Sequence, residues 1–193
     1  MFAILFGQLM GLVRGILVAS AFPAVELDAF STANRVSETL FNLIAAGALG
    51  SAFLPVFTSL LVKNERASAW KLASSLVILV TLILSLAALL AALFAPQIVR
   101  YLLAPGLARD PQVFALTVDL LRIQSVSAVM FGLGGLVISI LNAHQIFLIP
   151  QLTAAMYQIG QIFGVLVLAR WMGIYGLAWG VVINFGISQI LWF

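Results

Sequence analysis

Long apolar stretches alternate with short polar or proline-containing joints, and this pattern predicts six helical segments. The first covers about Met1–Phe22 and stops at Pro23, whose ring and missing N–H end a helix. A short acidic loop with Glu26 and Asp28 follows. The second segment, about Ala29–Val62, exceeds the roughly 20 residues of one straight span. It reads as an amphipathic or kinked first part leading into a span proper, Leu40–Leu61. Pro55 and a small-residue run (Ala45, Ala46, Gly47, Ala48, Gly50, Ser51, Ala52) lie inside that span. Small residues let helices approach closely in lipid, and proline permits a kink.

Lys63–Lys71 is the most hydrophilic stretch, with Lys63, Glu65, Arg66 and Lys71. The third span, about Leu72–Phe94, carries no charge and is expected to end at Ala95-Pro96. Arg100–Pro111 reads as a longer loop. The fourth span is about Phe114–Leu141, the fifth about Phe147–Leu168 with Pro150 inside it, and the sixth runs from near Gly173 to the end. Short joints between antiparallel helices predict one bundle, so residues 1–193 are taken as a single all-α, polytopic transmembrane domain. Ile183–Phe193 is still mostly apolar where the chain stops, so the chain is expected to be a piece of a longer polytopic protein.

Against this apolar background the polar positions stand out. Arg14 lies in the middle of the first apolar run. Asp28, Ser31, Arg35, Glu38 and Asn42 are spaced i, i+3, i+7, i+10, i+14, which places all five on one helical stripe. At 1.5 Å per residue that stripe runs about 21 Å, most of a hydrocarbon core about 30 Å thick. Charges at that depth are costly and are tolerated where they face a water-filled cavity or one another, so they mark a candidate substrate or ion path. In this reading Arg14 and Arg35 meet an anionic head group, because the guanidinium fork makes bidentate charge-assisted bonds to phosphate. Asp28 and Glu38 hold or exchange with the arginines as gating ion pairs, and Ser31 and Asn42 line the cavity. The plainer alternative is an i,i+3 Arg35–Glu38 pair snorkelling at an interface, with Asp28 as a helix N-cap.

Composition narrows the class. The chain has 193 residues, 64% hydrophobic and 8% charged, against about 25% charged in soluble domains. So apolar a surface needs lipid as its main solvent. The net charge is +3, from scattered basic residues with no basic patch, so nucleic acid is not expected as a partner. Cysteine is absent, and the lone His144 cannot make a metal site by itself, so no cofactor or metal is expected. No nucleophile–base pair, glycine-rich phosphate loop or zinc-protease motif is present, so no enzyme is expected. The dense basic joint Lys63–Lys71 favours a cytoplasmic N-terminus by the positive-inside rule, although Arg100, Arg109 and Arg170 then fall outside.

Other polar groups read as structural. Asp119 and Arg122 form an i,i+3 pair near an interface, and Asn142, His144 and Gln145 close the fourth span. Gln158, Gln161 and Asn184 are candidates for interhelical hydrogen bonds, and the first two, one turn apart, are also placed as polar lining of the same cavity. Met130–Gly135 and the Gly160–Gly164 pair are close-packing signals.

Several segments in order resemble the MurJ/MviN family of lipid II flippases: Gly11-Leu-Val-Arg14, Leu27-Asp28-Ala29-Phe30, Ala33-Asn34-Arg35-Val36, and Ala46 through Pro55. Leu103-Ala104-Pro105-Gly106, Ile140-Leu141-Asn142-Ala143 and Pro150 extend the likeness along nearly the whole chain. The resemblance implies the multidrug/oligosaccharidyl-lipid/polysaccharide exporter fold, with two six-helix lobes around a central cavity and this chain as the N-terminal lobe. It implies a bacterial inner-membrane flippase that turns over a lipid-linked cell-wall precursor by alternating access, its tail in membrane lipid, completed by a C-terminal lobe of the same protein. Arg14 matches the family's cavity arginine on the first helix, and Asp28 the aspartate that opens the second.

The chain also departs from the family pattern. Gln8 stands where many members have an arginine, Gly15 where an acidic residue is common, and Phe41 and Asn42 where paired arginines are common. The cavity is therefore less cationic. At an effective dielectric of about 20, each charge removed at about 4 Å weakens attraction to a diphosphate by up to about 4 kcal/mol before screening. Two alternatives stay open at this point: an exporter of another polyprenyl-linked glycan or of a drug, and a membrane scaffold of the same fold that does not transport.

Overall fold

The structure is a computed structural model that describes residues 2–44, 53–103, 110–146 and 157–192, with side chains from 7–42, 53–103, 110–146 and 157–183. Every regular element among them is helical. In order they are α1 (Phe2–Ala21), α2 (Ala24–Ile44), α3 (Leu54–Val62), α4 (Arg66–Leu93), α5 (Ala95–Ile98) with a π-helical turn Val99–Leu103, and α6 (Pro111–Ala143). Residues 157–163 form α7, followed by a π-helical turn Gly164–Leu168, α8 (Ala169–Met172) and α9 (Ile174–Trp192). This is an all-α helical membrane protein.

Three boundaries differ from the sequence expectation. Pro23 separates α1 from α2 as expected, but α2 starts immediately at Ala24. Glu26 therefore lies in its first turn, and Asp28 is inside the helix, neither in a loop nor at an N-cap. The acidic side chain near the N-terminus offsets the helix dipole, which favours this early start. The hydrophilic joint is only Lys63 to Glu65. Asn64 turns the chain with φ of 60°, and Arg66–Lys71 already form the first turns of α4. The third span ends at Leu93, as expected just before Ala95-Pro96, but no loop follows Pro96. It occupies the first turn of α5, where its missing N–H costs nothing, and the chain stays helical through Arg100 to Leu103. The small-residue run Ala45–Ala52, Pro150 and the start of the fifth segment lie outside the described residues.

Among the described residues α4 and α6 are the two helices long and apolar enough to cross a membrane, with shorter apolar stretches at Gly7–Ala21 and Ile174–Ile183. On α4 the buried positions are mostly small (Ala69, Ala73, Ala88, Ala91, with Val80 and Leu84), while Ile78, Leu82, Leu86, Leu89 and Leu93 face outward. Small inside and large outside is the arrangement that packing in lipid favours, since lipid rewards close backbone approach and does not penalise exposed leucine.

The long helix α6 is the centre of the bundle, packed by α2 on one side, α4 on another and α9 on a third. On α2, Ala29, Ala33 and Ser37 recur every four residues and are fully buried against α6. The Ser37 hydroxyl donates to the Gln124 carbonyl at 2.6 Å, and the Gln124 amide reaches back to the Phe30 carbonyl at 3.4 Å. The α4–α6 seam is built from Val80, Leu84 and Leu136, with Leu84 seated over Gly132. Asp110 caps α6 by accepting from the Gln112 and Val113 N–H groups at 2.9 and 3.4 Å.

Glycines bring the α7–π-turn segment against α9. A Cβ added to Gly180 would lie 2.7 Å from Gly164 Cα and 2.8 Å from the Gly160 carbonyl oxygen, both rigid backbone atoms. We expect Gly180→Ala to destabilise the protein by about 1–3 kcal/mol, the usual cost of overpacking. Gly7→Ala, which meets nothing within 4 Å, should be close to neutral. Thermal unfolding of both variants in one detergent checks the contrast, and equal midpoints would refute the close-packing account.

Candidate functional site

The exposed face of α2 is set by its buried face. Because Ala29, Ala33 and Ser37 are committed to α6, the stripe Asp28, Ser31, Arg35, Glu38 and Asn42 is turned to the opposite side, and all five residues are exposed. Arg14 comes to this face from α1. Gly11, one turn earlier, faces α7, where an added Cβ would stand in ordinary contact 3.5 Å from the Gln158 amide nitrogen.

Arg14, Ser31, Arg35, Glu38 and Gln161 line one cleft of about 470 Å³ between α1, α2 and α7, with apolar walls from Val18, Leu27, Phe30 and Leu177. Arg14 is half-buried, and its Nη1 donates to Gln161 Oε1 at 2.9 Å. Gln161 is buried and is also hydrogen-bonded to Tyr157. The Nε of Arg14 is buried without a partner among the described residues. Asn34 Nδ2 donates to Glu38 Oε1 at 2.6 Å. The Arg35 guanidinium is exposed and has no hydrogen bond or ion pair among the described residues.

The gating pairs expected between the arginines and Asp28 or Glu38 are not formed in this structure. Among the described residues the ion pair is Arg122–Asp119, at 3.3 Å, with both side chains about half exposed. In the cleft Glu38 is engaged by Asn34 and Arg14 by Gln161, so neutral amides stand where charge partners were expected. Asp28 and Asn42 share the polar face of α2 but do not line the cleft, and Gln158 sits beside Gly11 instead. Asn184 lies on α9, outside the residues whose side chains are described.

Asn34 and Tyr157 belong to the cleft and were not singled out from sequence. Each carried a signal: Asn34 is one turn before Glu38, and Tyr157 one turn before Gln161. Phe41 has an aromatic role. Its ring lies 6.0 Å from Phe131, which lies 5.8 Å from Tyr157, a ladder joining α2, α6 and α7 beside the cleft. His144 caps α6 with its Nδ1 2.9 Å from the Ile140 carbonyl oxygen. Among the described residues no group of three or more His, Cys, Asp or Glu is placed to hold a metal.

The arrangement has two guanidinium groups, unused N–H donors and one carboxylate already engaged by an amide. It is suited to an anion with several oxygens, such as a diphosphate.

The family model described as lipid II flippase MurJ matches residues 18–192. The chain belongs to the lipid II flippase MurJ family. A probable lipid II flippase MurJ of Buchnera aphidicola is 29% identical over 97% of this chain and 37% of its own length. The lipid II flippase MurJ of Burkholderia cenocepacia is 28% identical over 97% of this chain and 36% of its own. A probable MurJ of Rhizobium meliloti is 31% identical over 75% of this chain and 28% of its own. The chain thus spans a little over a third of the first two relatives. MurJ membership makes this a protein of the bacterial inner membrane.

If the cleft is wetted, cysteines placed there should react with a membrane-impermeant maleimide, since the reactive thiolate needs water. The chain has no native cysteine. We expect Ser31→Cys and Arg35→Cys to be labelled and Leu86→Cys, on the lipid-facing side of α4, to stay unlabelled. Equal labelling of all three positions would remove the cleft from consideration.

Proposed function

We propose that this chain is the N-terminal lobe of a flippase that carries lipid II, the lipid-linked peptidoglycan precursor, across the bacterial cytoplasmic membrane. Residues 1–193 act as a single transmembrane unit in this reading, and a C-terminal lobe of the same protein closes the cavity. The N-terminus is cytoplasmic. The reading is supported by the MurJ match and by the named relatives. The observation that carries it is the partner of Arg14. A neutral glutamine fixes the guanidinium without cancelling its charge. A carboxylate in that place would have neutralised the site.

In the mechanism, Arg14 contacts the diphosphate and Arg35, free at the cleft's edge, assists. Gln161 holds Arg14 in the empty state and releases it as phosphate oxygens replace the amide. Asp28 and Glu38 serve as exchange partners for the arginines when the lobes rock, with Asn34 holding Glu38 back while substrate is bound. Ser31, Asn42, Gln158 and Gln161 keep the path polar while the polyprenyl tail stays in lipid. A cationic substrate is disfavoured, because two guanidinium groups line the cleft against one carboxylate.

A charge-assisted hydrogen bond contributes about 1.5–3 kcal/mol, which corresponds to roughly 10- to 150-fold in affinity. We therefore expect the complete gene to rescue cells depleted of their own lipid II flippase. Arg14→Ala should fail to rescue at equal membrane abundance, and Arg35→Gln should rescue only partly. Full rescue by Arg14→Ala would overturn the proposed contact.

A further inference from the structure

A second cavity lies away from the cleft, on the outer side of α4 and α6. It is a groove of about 570 Å³ lined by Trp70, Ala73, Ser74, Val77 and Ile78 of α4 and by Leu136, Val137, Ile140 and Leu141 of α6. It shares no residue with the Arg14 cleft. Along α4 the small side chains of Ala73 and Ser74 lie between the bulkier Trp70, Val77 and Ile78. From Trp70 to Ile78 it runs about 12 Å, most of the roughly 15 Å that one leaflet contributes to a core about 30 Å thick.

One end of the groove is marked chemically. Arg66 is one helical turn before Trp70, on the same stripe of α4, and His144 is one turn after Ile140, on the same stripe of α6. Phe57 joins the two sides of this mouth. Its ring is edge-on to Trp70 at 6.4 Å and lies 6.1 Å from His144. Trp70 and His144 are both exposed, and His144 Nδ1 is engaged by the Ile140 carbonyl, which leaves Nε2 for an outside partner. Lys63 and Lys71 lie nearby in sequence and are exposed. Against these cations stands one acid, Glu65. The other end of the groove is wholly apolar.

We propose that this groove is a binding site for one acyl chain of an anionic phospholipid, with the phosphate-bearing head group held at Arg66 and Lys71. An apolar trough one leaflet deep, with an interfacial tryptophan and a cationic mouth, matches the lipid's own order of tail, interface and charged head. Charge complementarity distinguishes this occupant from a zwitterionic lipid, and the cationic mouth distinguishes it from a purely apolar helix of another protein.

The test uses the full-length protein in nanodiscs and phospholipids with brominated acyl chains, which quench nearby tryptophan. Trp70→Phe isolates the Trp70 signal from the other tryptophans. Brominated phosphatidylglycerol should quench Trp70 with at least about fivefold higher apparent affinity than brominated phosphatidylcholine, the preference expected from one cation near the surface. Arg66→Gln combined with Lys71→Gln should bring the two lipids level. Ser74→Phe, which fills the trough at an exposed position, should reduce quenching by both. Equal quenching by the two lipids in the unmodified protein would overturn the proposal. So would a preference that survives the double substitution, or a Trp70 that neither lipid reaches because protein covers it.

Discussion

The hydrogen bond from Arg14 to Gln161 is the interaction on which the site depends. A guanidinium in the middle of an apolar helix cannot stay unpaired in hydrocarbon, so α1 must come to a polar partner or to water. Here Nη1 is satisfied by a buried amide and the side chain lines a cleft, while Nε is buried without a partner among the described residues. The choice of an amide matters for function. Glutamine fixes the position of the charge and leaves its field intact, whereas a carboxylate would have fixed and cancelled it.

The rest of the bundle keeps that cleft open. Small residues on α2 commit one face to α6, and this alone turns the polar stripe outward. Glycines at 160, 164 and 180 draw α7 and its π-helical turn against α9, which sets where Gln161 and Tyr157 stand. The aromatic ladder of Phe41, Phe131 and Tyr157 ties α2 to α7 through α6. Thus the same small-residue packing that replaces the hydrophobic effect in lipid also decides which side chains face the cleft.

Much of this was legible in the sequence. Spacing places the α2 stripe on one face, a charge in the middle of an apolar run marks Arg14, and the low charge content points to lipid. The helix limits are less legible, because neither a proline nor a run of charge by itself ends the helical path. Pro96 sits in a first turn, where proline is tolerated, and Arg66–Lys71 begin α4, because charged residues are ordinary helix formers at an interface. Partner choice was not legible at all. Arg14 and Gln161 are 147 residues apart, and no local pattern says that an arginine will prefer that amide to Glu38 or Asp28. Asn34 was overlooked because it lies beside the stripe and acts through Glu38, and Tyr157 because an aromatic in an apolar run looks like packing.

The most direct test of the central claim is the affinity of the full-length protein for lipid II in detergent, measured for the unmodified protein and Arg14→Ala, with an analogue carrying a single phosphate alongside. If Arg14 holds the diphosphate, Arg14→Ala should weaken lipid II binding by at least about tenfold. The unmodified protein should also favour the diphosphate over the monophosphate, and that preference should shrink in the variant. Unchanged affinity in Arg14→Ala, or equal binding of the two lipids by the unmodified protein, would contradict it.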